Sequence, residues 1–420
     1  MNVHIEKSDV AGTVKVPTSK SYTIRALLCA AVARGRSVIV EPLESDDTSA
    51  ALDCLASLGT DVKRLDGSVE IVGGSLHPLS SGHLWCNESA ATMRFLMALV
   101  ATVPGTTVLR CAPSLARRPM AQLSDVLGQF GARCEIEPVS GTVTIRGTTP
   151  TAADIVMRGD ISSQYVSALL LSGPLFPQGL TVRLETPLVS KQYVAMTLDC
   201  MASFGVTVDV REEGRVYHVP SGDYKPSVYT VEGDWSAAAA LLALGAAAGS
   251  VTVSGLNVES LQADVLMLEL LERMGACVRL SGDIVEVKHA SISSFEADIS
   301  EAIDLLPVAM ALAAMAEGST SIRGIARARD KESDRVAAMT EGLRNMGVDV
   351  DVTPHFIVVK GGAGRGAVVS SYGDHRIAMA FGVLGAAVGD TTILDAECVG
   401  KTYPAFWKDI ERLGVRVDYE

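Results

Sequence analysis

The sequence predicts an α/β (α+β) protein of two domains, each made of three copies of one helix-strand unit, and three observations predict it. The chain is 420 residues long, more than one compact core of the usual ~100–200 residues. An apolar helix end followed by Gly and a strand-forming run recurs six times, with glycines at Gly59, Gly131, Gly205, Gly275, Gly347 and Gly414. A second, differently spelled helix-to-strand junction recurs in phase with it, at Gly35, Gly105, Gly179, Gly249, Gly318 and Gly389. The shared period of about 70 residues exceeds the 20–50 of solenoid repeats, so two globular domains of three units are expected.

Each element has a local justification. The first junction reads LASLGTDV, LGQFGARC, MASFGVTV, LERMGACV, LRNMGVDV and IERLGVRV, and the second RGRSVIV, VPGTTVL, PQGLTVR, AAGSVTV, AEGSTSI and AVGDTTI. Gly just past an apolar helix is the C-cap signature, and the β-branched residues behind it favour a strand. Alternating runs such as VEIVGG, VTIRG, DIVEVKH and FIVVKG supply further strands. The polar, Pro-containing stretch VPSGDYKPSVY marks a break between units three and four, and VKVPTSK places a Pro just before the first helix. The expected domains are residues 14–225, and 1–13 with 226–420.

Composition narrows the function. Hydrophobic residues make up 48% and charged residues 20%, a globular balance, while 5% aromatic residues with abundant Ala and Gly predict helices packed through small side chains. A net charge of −13 argues against nucleic acid or anionic membrane as partner, so an anionic substrate must meet a local basic cleft. No apolar stretch is long enough to span a bilayer, and the start MNVHIEKSDVAGTVKV lacks the pattern of a targeting peptide, so the cytoplasm is the expected location. Eight Cys without any C-x-x-C pair read as buried, reduced thiols, and seven scattered His make a protein-built metal site unexpected.

Polar residues gather ahead of six apolar helices, in SKSYTIRALL, NESAATMRFL, ISSQYVSALL, GDWSAAAALL, AIDLLPVAMA and GDHRIAMAFG. Ser, Asp and Asn there are ordinary N-caps. Lys20, Arg25, Arg94, His375 and Arg376 are not, because positive charge in a first turn opposes the helix dipole, and an anionic ligand would compensate it. Further basic residues lie in ARRPM (Arg117, Arg118), RARDKESDR (Arg327, Arg329, Lys331, Arg335) and VGKTYP (Lys401). Alternating charge makes RARDKESDR readable as an exposed, self-paired segment. Glu332, flanked by Lys331 and Arg335, would be held ionised and suits proton transfer if it faces a cleft.

Over nearly its whole length, and most specifically in RARDKESDR, GDHRIAMAF and GDISSQYVSALL, the sequence resembles the 3-phosphoshikimate 1-carboxyvinyltransferase (EPSP synthase) family of enolpyruvyl transferases. The resemblance implies a two-domain, inverse α/β barrel-like fold of six βαβαββ units, three per domain, with two crossings and an active site in the interdomain cleft that closes on substrate. It implies transfer of the enolpyruvyl group of phosphoenolpyruvate to the 5-hydroxyl of 3-phosphoshikimate, by a monomer, without metal or organic cofactor. Carried over by position, Lys20, Ser21, Arg25, Ser162, Ser163, Gln164, Ser190, Tyr193, Asp304 and Lys331 would bind 3-phosphoshikimate. Lys20, Ala90, Arg118, Gln164, Arg335, Arg376 and Lys401 would bind phosphoenolpyruvate. Asp304 as base, Glu332 as the proton carrier at C3, and Lys20 would be catalytic.

Two departures stand out. The family's N-[SA]-G-T-x-x-R is E-S-A-A-T-M-R here, from Glu88 to Arg94, so Ala90 puts a Cβ where Gly lets backbone approach phosphoenolpyruvate, a crowding expected to weaken the longer inhibitor glyphosate more. Arg327 stands where many members have Asn. Two alternatives remain at this point. The sister transferase acting on UDP-N-acetylglucosamine usually has Cys where Pro113 stands. A scaffold like the RNA 3′-terminal phosphate cyclases would bind RNA ends, which the acidic charge disfavours.

Overall fold

The computed structural model describes residues 1–78, 81–362 and 364–420. They form six four-stranded sheets of one design. An edge strand runs parallel to the strand that follows a core helix, and that strand pairs antiparallel with the inner member of a further antiparallel pair, which is a hairpin in the first five repeats. In the second repeat Leu84–Trp85 lies parallel to Gly105–Arg110, which pairs with Thr142–Gly147 and, through it, Arg133–Glu137. The fifth repeats this with Glu296–Asp298, Ser319–Arg323, Phe356–Lys360 and Asp349–Val352.

The glycines do what the sequence pattern asks of them. All twelve junction glycines have φ between +75° and +156°, a region that costs other residues about 1–2 kcal/mol. Between the junctions run two kinds of helix. Core helices, such as Trp235–Ala248 and Ala90–Ala101, are buried along most of their length, as expected of a helix apolar on every side. The outer helices are one-sided: Leu266–Arg273 buries Met267, Leu270 and Leu271. Small side chains line the core helices, with Ala237 to Ala240, Ala243, Ala246 and Ala247 all buried.

The chain divides into two compact units, residues 18–231 and residues 1–17 with 232–420. The boundaries expected at 13/14 and 225/226 therefore move, because strand pairing decides them. Val10–Lys15 pairs parallel with Gly249–Ser254, placing Val14 beside Val253, so residues 14–17 stay with the discontinuous unit. Val228–Thr230 pairs with Val38–Val40 and completes the first repeat's sheet. The sixth sheet also takes a strand from far away, Val3–Glu6, inserted between Thr391–Leu394 and Arg416–Tyr419.

Each unit has its own apolar core. In residues 18–231 the helix Ala90–Ala101 packs on Ser163–Ser172 and on Lys20–Val32, and in the other unit Trp235–Ala248, Leu306–Met315 and His375–Val388 pack on one another. All eight Cys are free, and Cys29, Cys54, Cys86, Cys111 and Cys200 are buried. Cys277 corrects the expectation of burial: it is exposed, on a hairpin strand that is buried at no residue. Among the described residues no helix is long and apolar enough to cross a membrane.

Candidate active site

In residues 18–231 the polar side chains gather at the starts of the core helices. Ser19 caps Lys20–Val32, its hydroxyl accepting the Tyr22 N–H at 3.4 Å. Lys20 donates to Asp47 Oδ2 at 2.9 Å, and Asp47 is 2% exposed in the first turn of Asp46–Ser57. One turn beyond Lys20, Arg25 is buried and donates to Thr197 Oγ1 (2.8 Å), Ser21 O (2.8 Å) and Tyr193 O (3.0 Å), with its guanidinium carbon 5.2 Å from the Phe95 ring centre. All these acceptors are neutral, and burial pulls the Arg25 pKa below its usual value. A buried cation held this way gains from an anion brought beside it.

Tyr193, joined to Arg25 through its carbonyl, sits in the first turn of Lys191–Ser203 behind Ser190. Ser190 is buried in the left-handed conformation, φ +50° and ψ +55°. Such a backbone costs a non-Gly residue about 1 kcal/mol or more and is common where function fixes geometry. Ser162 caps Ser163–Ser172 by accepting the Gln164 N–H at 3.3 Å. Arg94 donates to Gln164 Oε1 at 2.7 Å and to Pro119 O at 2.9 Å, which brings Gln164 and the Arg118–Pro119 segment to one guanidinium. Ala90 begins the helix Ala90–Ala101 and is buried.

In the other unit six of the expected residues form one network. Asp304 Oδ1 receives Arg335 Nη1 at 2.6 Å and Lys331 Nζ at 3.2 Å, and Arg376 Nη2 lies 3.5 Å from Oδ2. Arg335 also holds Glu332 Oε2 at 2.9 Å and Asp374 Oδ2 at 2.8 Å, while Lys401 Nζ is 3.9 Å from Glu332 Oε1. Arg335 and Asp374 are inaccessible; Asp304 and Glu332 are each 13% exposed. Burial opposes charge on Asp304, but Lys331, Arg376 and Arg335 together outweigh it and hold its pKa well below the usual carboxylate range. Burial likewise opposes the Arg335 charge, and Asp374, Glu332 and Asp304 more than offset it.

The exposed, self-paired reading of RARDKESDR fits Arg329 and Asp334, at 3.2 Å; the segment's other internal pair, Glu332 with Arg335, lies within the Asp304 network, and Lys331, Glu332 and Arg335 turn inward. Arg327 donates to Ser300 O. The first-turn cations at Lys20 and Arg376 are met by the protein's own Asp47 and Asp304, so an incoming anion competes with carboxylates already there. Asp47, Thr197 and Asp374 are site residues that the sequence pattern does not single out. Asp374 was visible in GDHR as an N-cap, which it is, its Oδ1 accepting the Arg376 N–H at 3.0 Å; the same carboxylate also grips Arg335.

A family model described as EPSP synthase (3-phosphoshikimate 1-carboxyvinyltransferase) matches residues 5–410. Proteins named 3-phosphoshikimate 1-carboxyvinyltransferase are similar to this chain: one from Dehalococcoides mccartyi is 44% identical over 99% of both chains, and one from Methanocorpusculum labreanum 39% identical over 99% of both. Among solved structures, EPSP synthase from Acinetobacter baumannii superposes with a TM-score of 0.82 at 26% identity over the whole of both chains. The enolpyruvyl transferase NikO from Streptomyces tendae, 18% identical, shares the fold at a TM-score of 0.81 over all of this chain and 98% of its own. The relatives' names carry the shikimate reading and neither the sugar-nucleotide nor the RNA-end alternative.

Proposed function

The chain belongs to the EPSP synthase (3-phosphoshikimate 1-carboxyvinyltransferase) family, and from that premise we propose how its residues transfer the enolpyruvyl group of phosphoenolpyruvate to the 5-hydroxyl of 3-phosphoshikimate. The products are 5-enolpyruvylshikimate 3-phosphate and phosphate, on the route to chorismate and the aromatic amino acids. Both substrates carry phosphate and carboxylate, groups suited to Arg forks and Lys. Lys20, Ser21, Arg25, Ser162, Ser163, Gln164, Ser190, Tyr193, Asp304 and Lys331 hold 3-phosphoshikimate. Phosphoenolpyruvate is held by Lys20, Arg118, Gln164, Arg335, Arg376 and Lys401, beside Ala90.

The chemistry needs one group to take the hydroxyl proton and another to protonate C3. Attack of the 5-oxygen on C2 with proton delivery to C3 gives a tetrahedral intermediate; loss of phosphate with a proton from C3 completes the exchange. Asp304 takes the hydroxyl proton, and Glu332 gives and later removes the proton at C3.

The observation that carries this reading is the capture of Asp304 by Lys331, Arg335 and Arg376, the cations expected to bind the substrates. An Asp304 so paired is a poor base. Once phosphoenolpyruvate draws Arg335 and Arg376 and 3-phosphoshikimate draws Lys331, burial acts on Asp304 with less opposition and its basicity rises. Proton transfer then waits for both substrates. Phosphate release from phosphoenolpyruvate is the test, measured with 3-phosphoshikimate, with UDP-N-acetylglucosamine or with neither. Release with 3-phosphoshikimate alone is expected, falling about 10²–10⁴-fold in Asp304→Asn. Release only with the sugar nucleotide refutes the reading.

A further inference from the structure

Arg94 lies on the core helix Ala90–Ala101 and is 4% exposed. Its Nη1 donates to Gln164 Oε1 at 2.7 Å and its Nη2 to Pro119 O at 2.9 Å, with the guanidinium carbon 5.1 Å from the centre of the Tyr165 ring. The Tyr165 hydroxyl donates to the same Pro119 carbonyl. A guanidinium has five N–H donors and no acceptor, so the Gln164 amide atom that faces it must be the oxygen. That fixes an assignment an amide otherwise leaves open, and it leaves the amide nitrogen, a pure donor, as the group Gln164 has to offer elsewhere.

We propose that Arg94 is a positioning residue of the transfer reaction: it locks Gln164 in the orientation that offers N–H to an anionic ligand, and it fastens the Arg118–Pro119 segment to the same point. The proposal rests on the reading that Gln164 and Arg118 bind phosphoenolpyruvate. A flipped amide would turn its oxygen toward the anion and its N–H toward the guanidinium, unfavourable at both ends. One buried cation therefore sets the polarity of Gln164 and the position of Arg118. It explains why a positive charge sits in the first turns of an apolar helix.

The test is steady-state phosphate release at saturating 3-phosphoshikimate with varied phosphoenolpyruvate. Arg94→Lys keeps the charge but loses the planar fork; KM for phosphoenolpyruvate is expected to rise at least tenfold while kcat stays within about threefold, the pattern of lost binding rather than lost chemistry. In a Gln164→Ala background the same substitution is expected to add less than threefold. Gln164→Glu supplies a second probe that keeps the pairing with Arg94 but replaces the outward donor by an acceptor. Its KM is expected to rise at least tenfold and to recover as pH falls and the carboxyl protonates.

An Arg94→Lys protein with lowered melting temperature and a KM within twofold of wild type overturns the proposal, as does an unchanged KM in Gln164→Glu. Arg118→Gln and Gln164→Ala separate the two layers. If both leave KM for phosphoenolpyruvate unchanged, the site reading falls and this proposal with it. If both raise KM and Arg94→Lys does not, only the role of Arg94 is lost.

Discussion

Asp264 is 2% exposed; its Oδ2 accepts from the Ser236 hydroxyl, and its Oδ1 has no hydrogen-bond partner among the described residues. Burial and the nearby Asp304 carboxylate push its pKa up to about 6. Its folded pKa thus lies above the ordinary value of about 4. Below pH ~4 both folded and unfolded states hold the proton; from there to about 6 the folded state holds more, so stability falls as pH rises and stays lowered above that. Asp304 acts in the opposite sense, its contribution present above the ordinary carboxylate pKa and lost only in stronger acid. Asp264→Asn is expected to gain melting temperature relative to wild type between pH 4 and 7, and a difference that stays constant with pH would show that Asp264 does not titrate there. Lys331, Glu332 and Arg335 were legible because one segment carries them all. Asp47 and Thr197 were not, since their partners stand 27 and 172 residues away and each looks locally like an ordinary helix residue.

Among elements, the junctions between core helix and strand are the most legible feature, because a positive φ is a local demand that Gly alone meets cheaply. Gly249 adds a demand that no local pattern shows: a Cβ there would lie 2.0 Å from the Val10 carbonyl oxygen, on a strand far away in the chain. Gly282, at φ +61°, has nothing within 4 Å of such a Cβ. Gly282→Ala is therefore expected to cost only the conformational term, about 1–2 kcal/mol. Gly249→Ala must also displace the Val10–Lys15 strand and is expected to cost about 3 kcal/mol or more. Denaturant unfolding of the two variants measures this, and equal losses would mean that the neighbouring strand is not what demands glycine.

For the whole molecule, the period of about 70 residues announced six units, but not which strands each sheet takes from elsewhere. Hydrophobic alternation identifies a strand, whereas its partner depends on contacts across hundreds of residues. Residues 18–231 contain every strand of their three sheets; residues 232–420 lack Val3–Glu6 and Val10–Lys15. The first fragment alone is expected to unfold cooperatively, and the second alone to melt without a sharp transition. Calorimetry of each distinguishes them, and a sharp, full-enthalpy transition in residues 232–420 would contradict the pairing argument. The same strands set a timetable during synthesis. Val10–Lys15 leaves the ribosome about 240 residues before Gly249–Ser254, a delay of roughly 12–50 s at ~5–20 residues per second. The continuous unit is completed within that interval, so the opening segment must wait with its backbone unpaired. Until Gly249–Ser254 emerges, Val10–Lys15 stays without its partner strand, and a holdase chaperone that covers such segments should raise the yield of the whole chain more than that of residues 18–231.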